Sequence, residues 1–148
     1  WSFLPTLLIA FHYKIYDASI ITICTGFTSL NLWREPDFSW RREMDLYMVQ
    51  VGVDYYLLRS FDSSEYYVFH SLFLLSLFGY KYELIHYKNK NYAMSVAYHG
   101  CMHIGSNIAI IYLLLTDITP EPQFIDRYIF SLLLVVAYGQ YYIISHLV

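Results

Sequence analysis

The feature that most limits what this chain can fold into is the confinement of its charges. Stretches without Asp, Glu, Lys or Arg run from Trp1 to Tyr13, Ala18 to Trp33, Tyr66 to Tyr80, Asn91 to Thr116 and Tyr128 to Val148; a sixth, Leu46 to Leu58, is broken only by Asp54. Of the 148 residues, 57% are apolar and only 14% charged, against about 25% charged in an ordinary soluble domain. Two Cys, six Gly and four Pro exclude a disulfide scaffold and a collagen-like chain, and so apolar a composition excludes disorder. The net charge of −3 lacks the clustered basic face that nucleic-acid binding requires. The pattern predicts an all-α, polytopic integral membrane helix bundle of about six transmembrane helices, in which the lipid bilayer is the solvent.

The last two stretches are long enough to cross about 30 Å of hydrocarbon at about 1.5 Å per residue. The middle ones are shorter and need Tyr, Lys and Arg at their ends to reach the interface. Trp1–Tyr13 is too short for a full span and carries neither a basic leader nor a small-residue cleavage site, so it reads as the remainder of a first transmembrane helix. One transmembrane domain over residues 1–148 is the economical organisation. Tyr13, Tyr16, Tyr55, Tyr56, Tyr66, Tyr67, Tyr80, Tyr82, Tyr87 and Tyr92 fall near the stretch ends, where amphipathic rings anchor at headgroup level.

Arg34, Arg41, Arg42, Lys81, Lys88 and Lys90 fall in two loops on one side, against Lys14, Arg59 and Arg127 on the other. The basic excess predicts that those two loops, and with them both termini, are cytoplasmic. Cys24 and Cys101 sit in apolar stretches and are expected to be buried free thiols. Thr119-Pro120-Glu121-Pro122 is expected to form a rigid turn before the last helix.

Polar groups inside spans are costly, so they mark where function concentrates. Ser95, His99, His103 and Asn107 recur every four residues and share one helical stripe. His99 and His103 can reach a common point, the i, i+4 spacing of helical metal sites. Tyr47, Gln50 and Asp54 share another helix face, and His70 lies on the helix between. Asp54, His70 and His103 can sit at comparable depth, which permits a shared cluster. The segment from Thr28 to Asp45 crowds charges and two Trp into one interfacial stretch, suited to anionic headgroups, with Asp45 near a helix N-terminus where a carboxylate is favoured.

Taken together, Ser29, the Glu43-Met44-Asp45-Leu46-Tyr47 segment and His99-Gly-Cys-Met-His103-Ile-Gly-Ser resemble the CREST superfamily of intramembrane hydrolases, which includes alkaline ceramidases and GPI-anchor-remodelling lipid hydrolases. The resemblance covers about 30 residues. It implies Zn²⁺ held by His99, His103 and a third His, for which His70 is the candidate. It also implies that Ser29 and Asp45 assist catalysis on a lipid amide or ester. The chain departs from the pattern at Trp33, where the superfamily has a His four residues after the Ser, and in the number of helices around the paired His. Two other readings use the same residues. One is a non-catalytic membrane protein or subunit whose polar stripe joins helices and partner membrane subunits. The other is a haem or proton-relay protein in which His70 and His103 could be facing ligands.

Overall fold

The computed structural model describes residues 2–34, 40–61, 63–116, 136, 139 and 140. Among these are five α-helices and no strand: α1 (Leu4–His12), α2 (Tyr16–Arg34), α3 (Trp40–Ser60), α4 (Tyr66–Lys88) and α5 (Tyr92–Thr116). The expected all-α class is therefore observed. The expected last helix lies outside the described residues except for Val136, Gly139 and Gln140, which are helical. The Thr119–Pro122 turn also lies outside them.

Two helices overrun their uncharged stretches. α3 begins at Trp40 rather than Leu46, and α4 continues past Tyr80 to Lys88. Arg, Glu and Lys are good helix formers, so Arg41, Arg42, Glu43, Lys81 and Lys88 end an apolar stretch without ending a helix. The rise per residue makes α2 to α5 about 28 to 38 Å long. Among the described residues, only α5 is both long and apolar enough to cross a membrane.

Both α1 and α4 close in the same way. Lys14 and Lys90 adopt left-handed φ values of 60° and 58°. Ile15 N–H then bonds Ala10 C=O at 2.8 Å, and Asn91 N–H bonds His86 C=O at 2.9 Å. This is the Schellman closure, which satisfies carbonyls left over at a helix end. Lys at this position accepts the left-handed strain that Gly avoids, while its charge complements the negative end of the helix dipole.

The chain falls into two compact units, Trp1–Ile9 with Ser60–Ile118, and Ala10–Arg59 with Thr119–Val148. In the first, α4 and α5 pack antiparallel. Gly79 lies against the α5 backbone: a Cβ built on it would stand 3.1 Å from Met102 N and 3.2 Å from Tyr98 O. One helical turn away, a Cβ on Gly105 would stand 3.0 Å from Ser76 Cβ. Tyr98 is flanked by Tyr82 and His86, with ring centroids 5.3 and 5.2 Å from its own. In the second unit α2 and α3 run antiparallel. Thr22 and Tyr56 share a hydrogen bond of 2.9 Å, and a Cβ on Gly52 would meet Thr25 and Ile21 at ordinary contact distance.

Polar side chains share the interior with apolar ones such as Ile15, Val51, Phe69 and Leu113, and many large apolar side chains stand exposed. Arg59, Ser60, Thr6, Ser19, Thr22, Ser76 and Ser95 are buried, while Phe27, Leu8, Leu75 and Val96 are 72%, 68%, 67% and 64% exposed. Tyr55 and Tyr56, expected at an interface, are instead fully packed; their hydroxyls serve Arg59 and Thr22. Tyr16, Tyr67, Tyr87 and Tyr92 are exposed at helix ends. Cys24 and Cys101 are free, as expected, but exposed rather than buried.

The closeness at Gly79 gives a direct test. Gly79→Ala is expected to lower stability by about 1–3 kcal/mol, because its methyl meets backbone that cannot rotate away. Gly100→Ala, where nothing lies within 4 Å, is expected to be neutral or stabilising. Thermal unfolding of both variants in detergent micelles compares them; equal stability would mean that α4 and α5 are not held at this distance.

Candidate functional site

The antiparallel register of α4 and α5 places Glu83 opposite His99. Glu83 Oε2 lies 3.0 Å from His99 Nδ1, with the two side chains 20% and 26% exposed. On the other edge of the ring, His99 Nε2 lies 2.9 Å from His103 Nε2. The two rings meet edge to face, 4.5 Å apart and at 76°. One helical turn on, Asn107 Nδ2 donates to His103 C=O at 2.8 Å, and Thr6 Oγ1 of α1 donates to Asn107 Oδ1 at 2.7 Å. A carboxylate, two imidazoles, an amide and a hydroxyl thus follow one side of α5. Ser95, at the start of the same stripe, is buried.

This arrangement has a defined proton inventory. A neutral imidazole carries one N–H and one acceptor nitrogen, so a hydrogen bond between the two Nε2 atoms requires one ring to present Nε2–H and the other a bare Nε2. Two imidazole nitrogens converging from one helix, with a carboxylate behind one ring, is also how histidine pairs are oriented for metals. Among the described residues, no group of three His, Cys, Asp or Glu side chains is placed to hold a metal ion.

His70 does not join the pair. Its Nδ1 bonds Tyr66 C=O of its own helix at 2.8 Å, and its ring sits among Phe61, Tyr66 and Phe69. It is also 13 positions from Glu83 along α4, about 20 Å at the helical rise. The expected set of His70, His99 and His103 as three ligands is therefore not assembled.

The second unit holds the other expected pair. Ser29 Oγ donates to Asp45 Oδ1 at 2.5 Å, and Thr28 Oγ1 lies 3.2 Å from the same oxygen. Thr28 Oγ1 also reaches Thr25 C=O at 3.0 Å. Asp45 is almost fully buried, so these hydroxyls replace water on its carboxylate. Deeper in α3, Asp54 accepts from Gln50 Nε2 at 3.0 Å. With the Gln140 amide turned so that its NH₂ faces the carboxylate, Gln140 donates to Asp54 Oδ2 at 2.9 Å. The partners of Asp54 are thus two primary amides of its own unit. At the end of α3, the buried Arg59 lies 3.2 Å from Tyr55 Oη and 3.7 Å from Asp17 Oδ2.

Three participants escaped the reading of the sequence: Glu83, Thr6 and Gln140. Glu83 had a signal. Gly79, Tyr80, His86 and Tyr87 occupy its i±4 and i±3 positions, so no Lys or Arg neutralises it along its own helix. Counting back from the turn at Lys90 puts it level with His99. No family model matches this chain, and no curated protein or solved structure matches it.

Ser29→Ala is expected to destabilise the protein by about 1.5–3 kcal/mol, the range for a hydrogen bond to a charged group. Thr28→Ala should cost less, because that hydroxyl divides its contact between Asp45 and its own helix. Chemical unfolding of the two variants in micelles orders them; the reverse order would show that Ser29 is not the main partner of Asp45.

Proposed function

We propose that this chain is a multi-pass integral membrane protein with both termini cytoplasmic, and that it is a metal-dependent hydrolase of lipid amide or ester bonds centred on His99 and His103. The membrane part rests on the large apolar side chains that stand exposed and the polar groups buried beside the apolar core. Large apolar groups stand exposed along α1, α2, α4 and α5, while hydroxyls and a guanidinium are buried. That arrangement is costly in water and favourable where hydrocarbon is the solvent. The charged ends of α3 and α4 suit the headgroup layer, which Arg and Lys reach along their aliphatic stems.

The observation that carries the chemical part is the convergence of the two Nε2 atoms, 2.9 Å apart, with Glu83 behind His99. The donor set suits a divalent metal at two positions, His99 and His103, and the carboxylate suits the supporting role behind a ligating His. A third protein ligand would have to come from beyond the described residues, so no hydrolytic step is derived. Zn²⁺, when bound, supplies Lewis acidity toward a carbonyl and activates water at neutral pH. What the chain itself provides is the orientation of two half-buried imidazoles. The resemblance gains support from a second pairing, since Ser29 and Asp45 are in direct hydrogen-bond contact within their own unit.

A non-catalytic membrane subunit is the second reading, favoured by how fully the α5 stripe is used internally. Thr6 bonds Asn107, Asn107 bonds His103 C=O, and His103 meets His99. Such contacts join helices, at under about 2 kcal/mol each.

The protein is expected to remain with membranes through alkaline carbonate extraction. After purification in detergent it is expected to contain about one zinc per chain, lost in the His99→Ala/His103→Ala variant. Zinc content near zero in the wild-type protein, or unchanged in the double variant, overturns the hydrolase reading and leaves the subunit reading. Release by carbonate overturns both.

A further inference from the structure

We infer that Glu83 is the positioning residue of the histidine pair: its carboxylate takes the Nδ1–H of His99 and leaves Nε2 of that ring as the lone-pair atom facing His103. The inference concerns the same site as the proposed hydrolase and rests on that reading only for its metal consequence; the hydrogen-bonding part stands without it.

Three observations point to this role. The first is where the carboxylate has been put. Glu83 lies in a stretch of Tyr82, Leu84 and Ile85, with no Lys or Arg three or four residues away in either direction. Its Oε2 atom is buried and has no hydrogen-bond partner, and its ion-pair contact is His99 Nδ1 at 3.0 Å. A buried carboxylate oxygen without a donor is costly, and His99 Nδ1 is the nitrogen within hydrogen-bond distance of it.

The second is the means by which the contact is enforced. Gly79, one turn before Glu83, permits a backbone approach to Tyr98 and Met102 that a Cβ, at 3.1–3.3 Å from their atoms, would crowd. The Tyr82–Tyr98–His86 stack spans the same level and fixes the rotation of α4 about its axis. Glu83 is therefore held toward α5 by packing on both of its neighbouring turns.

The third is the proton count. If the carboxylate accepts from Nδ1, a neutral His99 has only an acceptor at Nε2. The 2.9 Å contact then requires His103 to present Nε2–H. The two rings are thereby set as opposite tautomers, Nδ1–H in His99 and Nε2–H in His103. With Glu83 absent, nothing in this contact distinguishes the rings, and His99 loses its bias toward the Nδ1–H form. An outer carboxylate of this kind typically governs metal affinity by 10–100-fold.

The test is nitrogen-15 NMR of the histidine side chains in the metal-free, full-length protein in micelles, under mildly alkaline conditions that keep both rings neutral. The inference expects His99 as Nδ1–H and His103 as Nε2–H in the wild-type protein. It expects the Nδ1–H population of His99 to fall in Glu83→Ala, with the Nε2–H form appearing and helicity unchanged by circular dichroism. Finding His99 as Nε2–H in the wild-type protein overturns it, and this measurement requires no variant to fold. An unchanged His99 tautomer in Glu83→Ala also overturns it. Cobalt(II) titration followed by visible absorption supplies the metal arm. Binding should weaken about 10–100-fold in Glu83→Ala and substantially recover in Glu83→Gln, whose carbonyl can still accept. Equal cobalt affinity in wild-type and Glu83→Ala protein overturns the metal consequence. If the wild-type protein takes up no cobalt while the tautomers are as expected, the hydrolase reading fails and the role of Glu83 stands.

Discussion

The approach of α4 to α5 at Gly79 is the constraint on which the first unit depends. A Cβ at position 79 would stand only 3.1 Å from Met102 N and 3.2 Å from Tyr98 O, tighter than ordinary packing. This closeness brings short polar side chains across the helix boundary. One turn on from Gly79, Glu83 stands 3.0 Å from His99 Nδ1. Ser76 against Gly105 extends the close seam by another turn. Small residues at a helix seam let dispersion and polar contacts act at short range, which matters most where no hydrophobic effect drives helices together.

The second unit solves the same problem with hydroxyls. Thr22 meets the hydroxyl of Tyr56, and Ser29 and Thr28 meet Asp45. Each pair joins α2 to α3 and leaves a donor and an acceptor matched. The Asp17–Arg59–Tyr55 group at the end of α3 follows the same rule for a full charge. Burying Arg59 would be prohibitive alone; a carboxylate and a phenol hydroxyl accompany it.

Much of this was legible in the sequence, and the gaps have physical causes. Uncharged stretches located all five described helices, because an apolar run of this length must satisfy its own backbone. They misplaced the ends of α3 and α4, since charge marks where hydrocarbon-compatible sequence stops and not where hydrogen bonding stops. The i, i+4 spacing was sufficient to bring His99 to His103, as it depends only on helix geometry. Ser29 and Asp45 lie in different helices, and their pairing was expected only through resemblance. Tyr55 and Tyr56 were assigned to an interface by position along the chain, although which way a ring turns is decided by neighbouring helices. Glu83 was passed over because it was counted with the basic segment after Tyr80 rather than as part of α4. Its partner becomes visible only when residues at roughly similar distances from the Lys90 turn are paired, as a short loop between antiparallel helices requires.

His70 and His99 show why a histidine in an apolar helix is not by itself a site. Both are partly exposed, both have a ring contact, and both have a partner at Nδ1. For His70 that partner is the Tyr66 carbonyl of its own preceding turn, an acceptor present in every helix and adequate for a neutral ring. The chain need place nothing to provide it. For His99 the partner is a carboxylate from another helix, which carries a charge that apolar surroundings disfavour. Keeping Glu83 there demands a compensating group, and that group is a ring whose opposite nitrogen meets a second imidazole. A carboxylate retained in such a place acts on whatever the far nitrogen contacts, whether a proton shared with His103 or a metal bound between them. The difference between a solvated-by-backbone histidine and a directed one is therefore written in the second residue, not in the histidine.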